Sequence, residues 1–292
     1  MAKTILLTGA TGFLGSHLLE VLLRERYQVV ILKRSTSDTW RIEHLLDQVK
    51  TYDVDQVPVE AAFEGQQIDA AFHTACNYGR NNDPISSVAE TNLMFGLKLL
   101  EATIQFNTDT FFNTDTLLRK QLNDYTLSKK QFVEWLKKKS GKIQIINLKL
   151  EHMYGSKDDA TKFVPWVISQ LSSGAPEIRL TKGEQKRDFI YVDDVVSGYL
   201  LALEKSYRLP EFSEFDVGTG ELVTVREFIE NLKDAYEARF GKVSTKLEFG
   251  ALPYRDGEMM SVKVDNRALS DLGWRCKTSR AEGIRKIIGD VP

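Results

Sequence analysis

Apolar residues follow two different periods in the first half of the chain. Residues 4–8 and 28–33 form short apolar runs with the length and composition of buried strands. Between them, Leu14, Leu18 and Leu22 recur at the spacing of a helix with one buried face. The same alternation predicts strands at 4–8, 28–33, 68–75, 110–114 and 143–148, and helices at 14–26, 87–106 and 125–139.

Strands that alternate with helices favour an α/β fold built on a doubly wound parallel sheet. Residues 35–64 are the least regular part, where we expect a helix at about 39–48 and a short strand. After residue 150 turn residues become more frequent, and the pattern predicts helices at 161–173, 193–205 and 223–240. Thr224 is a candidate N-cap for the last of these, with Glu227 three residues further on.

Composition narrows the possible partners. The chain has 292 residues, 42% apolar and 27% charged, with a formal net charge of −2, so we expect no nucleic-acid or membrane partner. No apolar window is long enough for a membrane span, and no secretory leader pattern is visible. Two distant cysteines and four histidines without metal-ligand spacing predict no disulfide framework and no metal site. We therefore expect a cytoplasmic protein.

A glycine-rich turn follows the first predicted strand. Gly9, Gly12 and Gly15 are spaced three apart and lead into the helix predicted at 14–26. Glycine admits a positive φ and lets a phosphate approach the backbone closely, and a helix N-terminus presents free N–H groups to an anion. This strand–turn–helix context is typical of a dinucleotide-binding site, although the spacing G-x-x-G-x-x-G differs from the commoner G-x-G-x-x-G.

A second motif carries candidate chemistry. Tyr125 and Lys129 lie four residues apart in a predicted helix and therefore share one helix face. A free tyrosine has a pKa near ~10, and a nearby ammonium is expected to lower that pKa and favour acid–base catalysis. Alone this spacing is weak, but downstream of a phosphate-binding turn it predicts a redox active site.

Together these motifs resemble the extended short-chain dehydrogenases/reductases, in the branch of nucleotide-sugar epimerases, dehydratases and reductases. The likeness covers nearly the whole chain. It also includes Phe72-His73-Thr74-Ala75, Thr91-Asn92, Met153-Tyr154-Gly155, Arg187-Asp188-Phe189-Ile190-Tyr191-Val192-Asp193-Asp194-Val195, Phe215-Asp216-Val217-Gly218-Thr219-Gly220, Arg255 and Leu272-Gly273-Trp274.

The resemblance implies an architecture and partners. We expect an NAD(P)-binding Rossmann domain at 1–150 and a smaller, mainly substrate-binding lobe at 151–292, with segments near 189–191 and 215–217 returning to the main sheet. We also expect a nucleotide-sugar substrate and a homodimer formed by two helices packed as a four-helix bundle.

The resemblance also assigns roles to single residues. Catalytic roles fall on Thr114, Tyr125 and Lys129. The expected cofactor-binding residues are Gly9, Thr11, Gly12, Phe13, Leu14, Gly15, Lys33, Arg34, Asp53, Val54, Ala75 and Lys129. The expected substrate-binding residues are Asp115, Thr116, His152, Arg187 and Arg255, the two arginines on the nucleotide diphosphate.

The residues after the second strand bear on cofactor choice. An acidic residue there holds the ribose 2′-OH of NAD, whereas an arginine accommodates a 2′-phosphate. Lys33 and Arg34 stand at this point, so we favour NADP, with NAD as the alternative. Asp53 and Val54 match the pair that contacts adenine in the family, although Asp55 could be the equivalent residue.

The residues after Thr114 bear on the reaction. The 4,6-dehydratases of the branch place Asp-Glu there, and this chain has Asp115-Thr116, which argues against elimination of water. Only the eight residues 117–124 separate Thr116 from Tyr125, a short link similar to that of 4-ketoreductases. We predict reduction of the 4-keto group of a CDP- or dTDP-linked 6-deoxy or 3,6-dideoxy sugar, which would supply a surface polysaccharide such as O-antigen. The alternatives are an NAD-dependent 4-epimerase, a reductase of unrelated carbonyl compounds and a non-catalytic nucleotide-sensing regulator.

Overall fold

The structure is a computed structural model that describes residues 3–80 and 82–291. Its strands are β1 (Thr4–Thr8), β2 (Gln28–Lys33), β3 (Lys50–Asp53), β4 (Ala70–His73), β5 (Thr110–Thr116), β6 (Gln144–Leu150), β7 (His152–Tyr154), β8 (Glu177–Leu180), β9 (Lys186–Arg187), β10 (Phe189–Tyr191), β11 (Phe212–Val217), β12 (Val223–Thr224) and β13 (Lys246–Phe249). Its α-helices are α1 (Phe13–Arg24), α2 (Ile85–Ala89), α3 (Phe95–Gln105), α4 (Asp124–Lys139), α5 (Phe163–Ser172), α6 (Val192–Lys205), α7 (Val225–Phe240), α8 (Arg267–Asp271) and α9 (Arg280–Gly289).

A seven-stranded parallel sheet forms the centre of the fold, in the order β11-β6-β5-β4-β1-β2-β3. This confirms the predicted doubly wound parallel sheet. The chain runs from β1 outward through β2 and β3, and then from β4 outward on the other side. In such a sheet a ligand binds beyond the carboxyl ends of the strands, at the point where the order reverses. Here that point lies between β1 and β4.

Alternate residues of the strands enter two separate apolar cores. Ile5 and Leu7 of β1 pack with α1 and α6 on one face, and Leu6 packs with α3 and α4 on the other. All three side chains are fully buried. Strands buried on both faces carry near-continuous apolar sequences, which is why β1 and β2 begin and end where the apolar runs predict.

After β6 the chain forms three short strand pairs and the helices α5 to α9. β7 pairs with β10, β9 with β12, and β8 with β13, each as a separate two-stranded sheet. β11 joins the main sheet as expected for 215–217. The expectation that 189–191 also returns to the main sheet is wrong, because Phe189–Tyr191 pairs with His152–Tyr154 instead.

Several predicted elements change in extent. The helix expected at 39–48 is only a 3-10 helix at Glu43–Gln48, and two more 3-10 turns lie at Val59–Ala62 and Ser206–Arg208. The helix expected at 87–106 is α2, a π-helical segment at Glu90–Met94, and α3. The predicted N-cap of α7 is confirmed, because Thr224 Oγ1 accepts a hydrogen bond from the backbone of Glu227 at 3.1 Å.

Candidate active site

One large cleft, with a volume of about 1930 Å³, runs along the carboxyl ends of the central strands, and residues of β7, α5 and β8 also line it. It brings together predicted site residues that are as much as 246 positions apart, from Gly9 to Arg255. The residues on its wall include Gly9, Thr11, Gly12, Phe13, Leu14, Gly15, Lys33, Arg34, Val54, Ala75, Thr114, Asp115, Thr116, Tyr125, Lys129, His152, Arg187 and Arg255. Asp53 is the one predicted site residue that is not part of this wall.

The glycine turn connects β1 to α1 at the reversal point of the sheet. Gly9 has a φ of 71°, a conformation that favours glycine, and a Cβ there would lie 2.7 Å from the backbone nitrogen of Ala75. A Cβ on Gly15 would lie 2.0 Å from the carbonyl oxygen of Gly9, so helix and turn can touch only without a side chain. Gly12 caps α1 with extended backbone, and the first turn of α1 holds no acidic side chain. Free N–H groups therefore face the cleft without a competing negative charge, which fits the pyrophosphate of a dinucleotide.

Basic residues surround the end of the cleft beyond β2. Lys33 and Arg34 lie on its wall together with Arg41, a residue that the sequence analysis missed. Arg41 donates from Nε to the carbonyl oxygen of Lys157 at 2.8 Å and from Nη1 to that of Thr11 at 3.3 Å. It thereby ties the glycine turn to the loop after β7.

The carboxylates of this region are already engaged. Asp53 accepts a hydrogen bond from the Ser35 hydroxyl at 2.7 Å, and Asp55 accepts one from the Ser35 backbone at 2.9 Å. The Ser35 hydroxyl lowers the pKa of Asp53 below its usual value. Val54 and Asp55 line the cleft, whereas Asp53 does not.

Tyr125 and Lys129 both line the cleft from α4. A capping box at Asn123 starts this helix: its side chain accepts from the backbone of Thr126 at 2.9 Å, and the Thr126 hydroxyl accepts from the Asn123 backbone at 3.1 Å. The cap fixes Tyr125 in the first turn and Lys129 one turn later. Lys129 is 1% exposed, and among the described residues its Nζ has no hydrogen-bond partner. A buried ammonium without a partner fits a ligand that brings acceptors, such as the ribose hydroxyls of a nicotinamide dinucleotide.

The expected effect of Lys129 on the pKa of Tyr125 is wrong for the unliganded protein. Burial raises the pKa of Tyr125 well above its usual value, and the proximity of Cys76 and Asp115 acts in the same direction. Burial also lowers the pKa of Lys129. Burial of both groups in the cleft therefore disfavours their charged forms. Tyr125 is held as a neutral phenol, which is the form that can donate a proton.

Thr114 and Asp115 point to opposite faces of β5. The Thr114 hydroxyl lies 2.6 Å from the hydroxyl of Tyr199 on α6. Asp115, whose side chain is 1% exposed, forms an ion pair with Lys130 on α4 at 2.7 Å. Sequence analysis missed both partners, although Lys130 directly follows Lys129.

The loop after β4 forms an aromatic and basic wall beside Tyr125. The ring of Tyr78 lies 5.0 Å from that of Tyr125, and the Lys162 ammonium is 4.5 Å from the centre of the Tyr78 ring. Asn92, in the π-helical segment, holds this loop by accepting from the backbone of Asn77 at 2.6 Å and donating to its carbonyl at 2.7 Å. The motif residue Asn92 therefore positions the loop after β4.

The far end of the cleft carries the remaining predicted substrate residues. Arg187, 6% exposed, forms an ion pair with Glu258, which the sequence analysis missed. Arg255 lines the same end from the loop after β13. His152 is exposed there and lies 2.9 Å from a carboxylate oxygen of Glu151. Arginine suits phosphate oxygens, so Arg187 and Arg255 are candidate ligands for a diphosphate at this end, where Glu258 pairs with Arg187.

Within 3–80 and 82–291, no three His, Cys, Asp or Glu side chains are placed so that they could hold a metal ion. None of the helices described is both long and apolar enough to cross a membrane.

Comparison with known proteins gives the following matches. The family described as "NAD dependent epimerase/dehydratase family" matches residues 5–218. CDP-abequose synthase of Salmonella muenchen is 34% identical over 98% of this chain and 97% of its own length, and that of Salmonella typhimurium is 32% identical over 99% and 98%. The structure of UDP-glucose 4-epimerase from Thermotoga maritima with UDP-glucose superposes with a TM-score of 0.83, at 24% identity over 98% and 97% of the two chains. At that identity the structural match shows the shared fold alone.

Proposed function

Since the chain belongs to the NAD dependent epimerase/dehydratase family, we propose that it reduces the 4-keto group of a nucleotide-linked deoxy sugar with NADPH. The substrate we favour is a CDP-linked 4-keto-3,6-dideoxyhexose. The relatives that are 34% and 32% identical over nearly the whole chain carry the name of a CDP-sugar enzyme and support this choice. The product would be a dideoxyhexose donor for a surface polysaccharide such as O-antigen.

One observation carries the proposal: Thr114, Tyr125 and Lys129 lie on the wall of the same cleft as the glycine turn. They come from β5 and α4, on the side of the reversal point where a nicotinamide ring would lie if the pyrophosphate binds at the turn. A proton donor, a second hydroxyl and a ribose-binding ammonium are the groups that a carbonyl reduction needs from the protein.

Tyr125, Thr114 and Lys129 would each have a separate role in the reduction. A bound NADPH would supply the hydride to the carbonyl carbon. Tyr125, a neutral phenol, donates its proton to the oxygen, and Thr114 donates a hydrogen bond to that oxygen as negative charge develops. Lys129 holds the ribose hydroxyls and, once they satisfy its Nζ, compensates the phenolate left on Tyr125. Reprotonation of Tyr125 from solvent resets the site.

The choice of NADP over NAD rests on charge. Lys33, Arg34 and Arg41 line the adenosine end, while Asp53 and Asp55 are both engaged with Ser35. Lys33 and Arg34 favour a 2′-phosphate, and Arg34 can bind it through two N–H groups.

The choice of a reduction over dehydration rests on β5. Asp115 is paired with Lys130, and the next residue, Thr116, is a poor proton acceptor. Positions 115 and 116 therefore do not supply the acid–base pair that eliminating water from the sugar requires. Arg187 and Arg255 would bind the diphosphate, with Arg187 exchanging Glu258 for phosphate oxygens.

The experiment is a screen of CDP-, dTDP-, UDP- and GDP-linked 4-keto sugars, measured by oxidation of NADPH at 340 nm. We expect turnover with the CDP-linked 3,6-dideoxy compound and stoichiometric loss of NADPH. Turnover of a 4-hydroxy sugar nucleotide without added NADPH, with NAD retained through purification, would instead establish the 4-epimerase. Binding of a sugar nucleotide without turnover of any of them would favour the non-catalytic regulator.

We also propose a homodimer formed through α3 and α4. Met94, just before α3, and Trp135 on α4 are large apolar side chains that are 42% and 47% exposed, and burying them in an interface would remove that apolar surface from water. Sedimentation of the purified protein should give twice the monomer mass, and Trp135→Glu should shift it toward the monomer. A single monomeric species for the unmodified protein would contradict this assembly.

A further inference from the structure

Tyr199 is a fully buried tyrosine whose hydroxyl contacts the active-site residue Thr114 from the apolar core. It lies on α6, and its ring packs 5.8 Å from the ring of Phe72 in the core between α6 and the sheet. Its hydroxyl oxygen is 2.6 Å from Oγ1 of Thr114. Among the described residues, Thr114 is the only hydrogen-bond partner of this hydroxyl.

The direction of this hydrogen bond follows from what each hydroxyl can reach. A phenol buried in an apolar core must donate its hydrogen, because a buried donor without an acceptor is destabilising. The only acceptor within reach in the described chain is Thr114 Oγ1. Burial also raises the pKa of Tyr199, which keeps its proton in place. If Thr114 donated instead, the phenolic hydrogen would have no partner.

We propose that Tyr199 is a positioning residue that donates to Thr114 Oγ1 and thereby leaves the Thr114 hydrogen free to point into the cleft. A threonine hydroxyl has one hydrogen and two acceptor positions. With one acceptor position occupied from the core side, the hydrogen remains for the substrate oxygen. This inference rests on the proposed function, because it needs a carbonyl oxygen beside Thr114.

This arrangement would strengthen the hydrogen bond that the Thr114 hydroxyl donates to the substrate oxygen in the transition state. Hydrogen bonds in a chain polarise one another, so a donor from Tyr199 makes the Thr114 hydroxyl a better donor. The gain is largest when the substrate oxygen carries negative charge, that is, in the transition state rather than in the bound ketone. Tyr199 transfers no proton in this scheme, and Tyr125 still supplies the one that the product gains.

The closing experiment compares Tyr199→Phe, Thr114→Val and the double variant with the unmodified protein, using NADPH and the CDP-linked 4-keto sugar. Tyr199→Phe removes one oxygen and keeps the ring in the core. Tyr236→Phe is the matched control, because Tyr236 is 6% exposed in the same core and is not on the cleft wall. Initial rates give kcat and KM for each protein, and thermal unfolding gives its stability.

We expect kcat of Tyr199→Phe to fall about tenfold with KM unchanged, the size of one hydrogen bond. Thr114→Val should lose about a hundredfold, as a donor to a developing oxyanion does. The double variant should be no slower than Thr114→Val, because Tyr199 acts only through Thr114. Tyr236→Phe should leave both constants unchanged.

Three outcomes would overturn the inference. The first is a Tyr199→Phe protein with a lower melting temperature and an unchanged kcat, which would show a structural role only. The second is a double variant whose loss is the product of the two single losses. The third is a failure of the unmodified protein to reduce any of the 4-keto sugars, which would refute the proposed function and this inference with it. An active unmodified protein with either of the first two results refutes the inference alone.

Discussion

Lys129→Met should make the unliganded protein more stable while weakening its binding of NADPH. The ammonium of Lys129 is 1% exposed and has no hydrogen-bond partner among the residues that the structure describes. An unsatisfied buried polar group costs roughly 1–3 kcal/mol, and more when it is charged. Methionine has a similar length and no charge, so we expect the free energy of unfolding to rise by about 2 kcal/mol. For a chain of this size that corresponds to roughly 4 °C in melting temperature.

The free energy of unfolding should also depend on pH, and the direction of this dependence can be checked. Burial lowers the pKa of Lys129 in the folded protein below the usual lysine value of 10.5. Between the folded-state pKa and the unfolded-state pKa, the unfolded chain therefore binds more protons than the native protein. The free energy of unfolding then increases with pH in that window, and the penalty is fully present below the folded-state pKa. Lys129→Met has no group that titrates here, so its stability advantage over the unmodified protein should shrink as the pH approaches 10.5.

The assay is thermal unfolding of the apoprotein from neutral to alkaline pH, together with NADPH binding by fluorescence or calorimetry. Without the contacts of Lys129 to the ribose hydroxyls, the Kd for NADPH should rise about tenfold or more. Lys130→Met is the matched control, because the Lys130 side chain pairs with Asp115, itself only 1% exposed. Breaking that pair leaves a buried carboxylate uncompensated and should destabilise the protein by about 3 kcal/mol. A Lys129→Met protein that melts below the unmodified one, or that binds NADPH with unchanged affinity, would refute the reasoning.

Three further predictions test separate parts of the site. Tyr125→Phe should lower kcat by about a thousandfold with little change in NADPH affinity, because it removes only the proton donor; a near-normal kcat would contradict that role. Gly15→Ala places a Cβ 2.0 Å from the carbonyl oxygen of Gly9, so NADPH binding should weaken about tenfold or more, whereas the control Gly141→Ala has no atom within 4 Å of its new Cβ. Equal Kd values for these two variants would show that the turn does not hold the cofactor. Arg34→Ala should reduce the preference for NADPH over NADH about tenfold, measured as the ratio of kcat/KM values; an unchanged ratio would remove the argument for the 2′-phosphate.

Local patterns predicted the inner strands β1, β2, β4, β5 and β6 because these strands are mostly buried on both faces, which favours apolar residues along the strand. They failed where distant contacts decide the local conformation. In the region predicted as a helix at 39–48, Arg41 donates to the carbonyl oxygens of Lys157 and Thr11, so it is engaged in tertiary contacts before the shorter 3-10 helix begins at Glu43. Residue spacing alone carries no information about a partner 116 positions away.

In the candidate site, too, local sequence patterns predicted some features, and distant contacts determine the others. Motif spacing predicted that Tyr125 and Lys129 share a cleft, since residues four apart on a helix share one face. It gave the wrong pKa shift for Tyr125, because depth of burial depends on the packing of the whole fold. Tyr199 gave no signal at all, since a tyrosine in the apolar stripe of a helix has the pattern of an ordinary core residue.

The opposite orientation of Thr114 and Asp115 on β5 has a consequence for how such an enzyme can diverge. Thr114 contacts a residue of α6, and Asp115 forms an ion pair with a residue of α4, so the two neighbours depend on different helices. A lineage could exchange the Asp115–Lys130 couple, and with it the sugar it accepts or the chemistry it performs, while the hydroxyl pair behind the carbonyl stays intact. Two adjacent residues of one strand can therefore be substituted separately, each together with its own partner, during evolution.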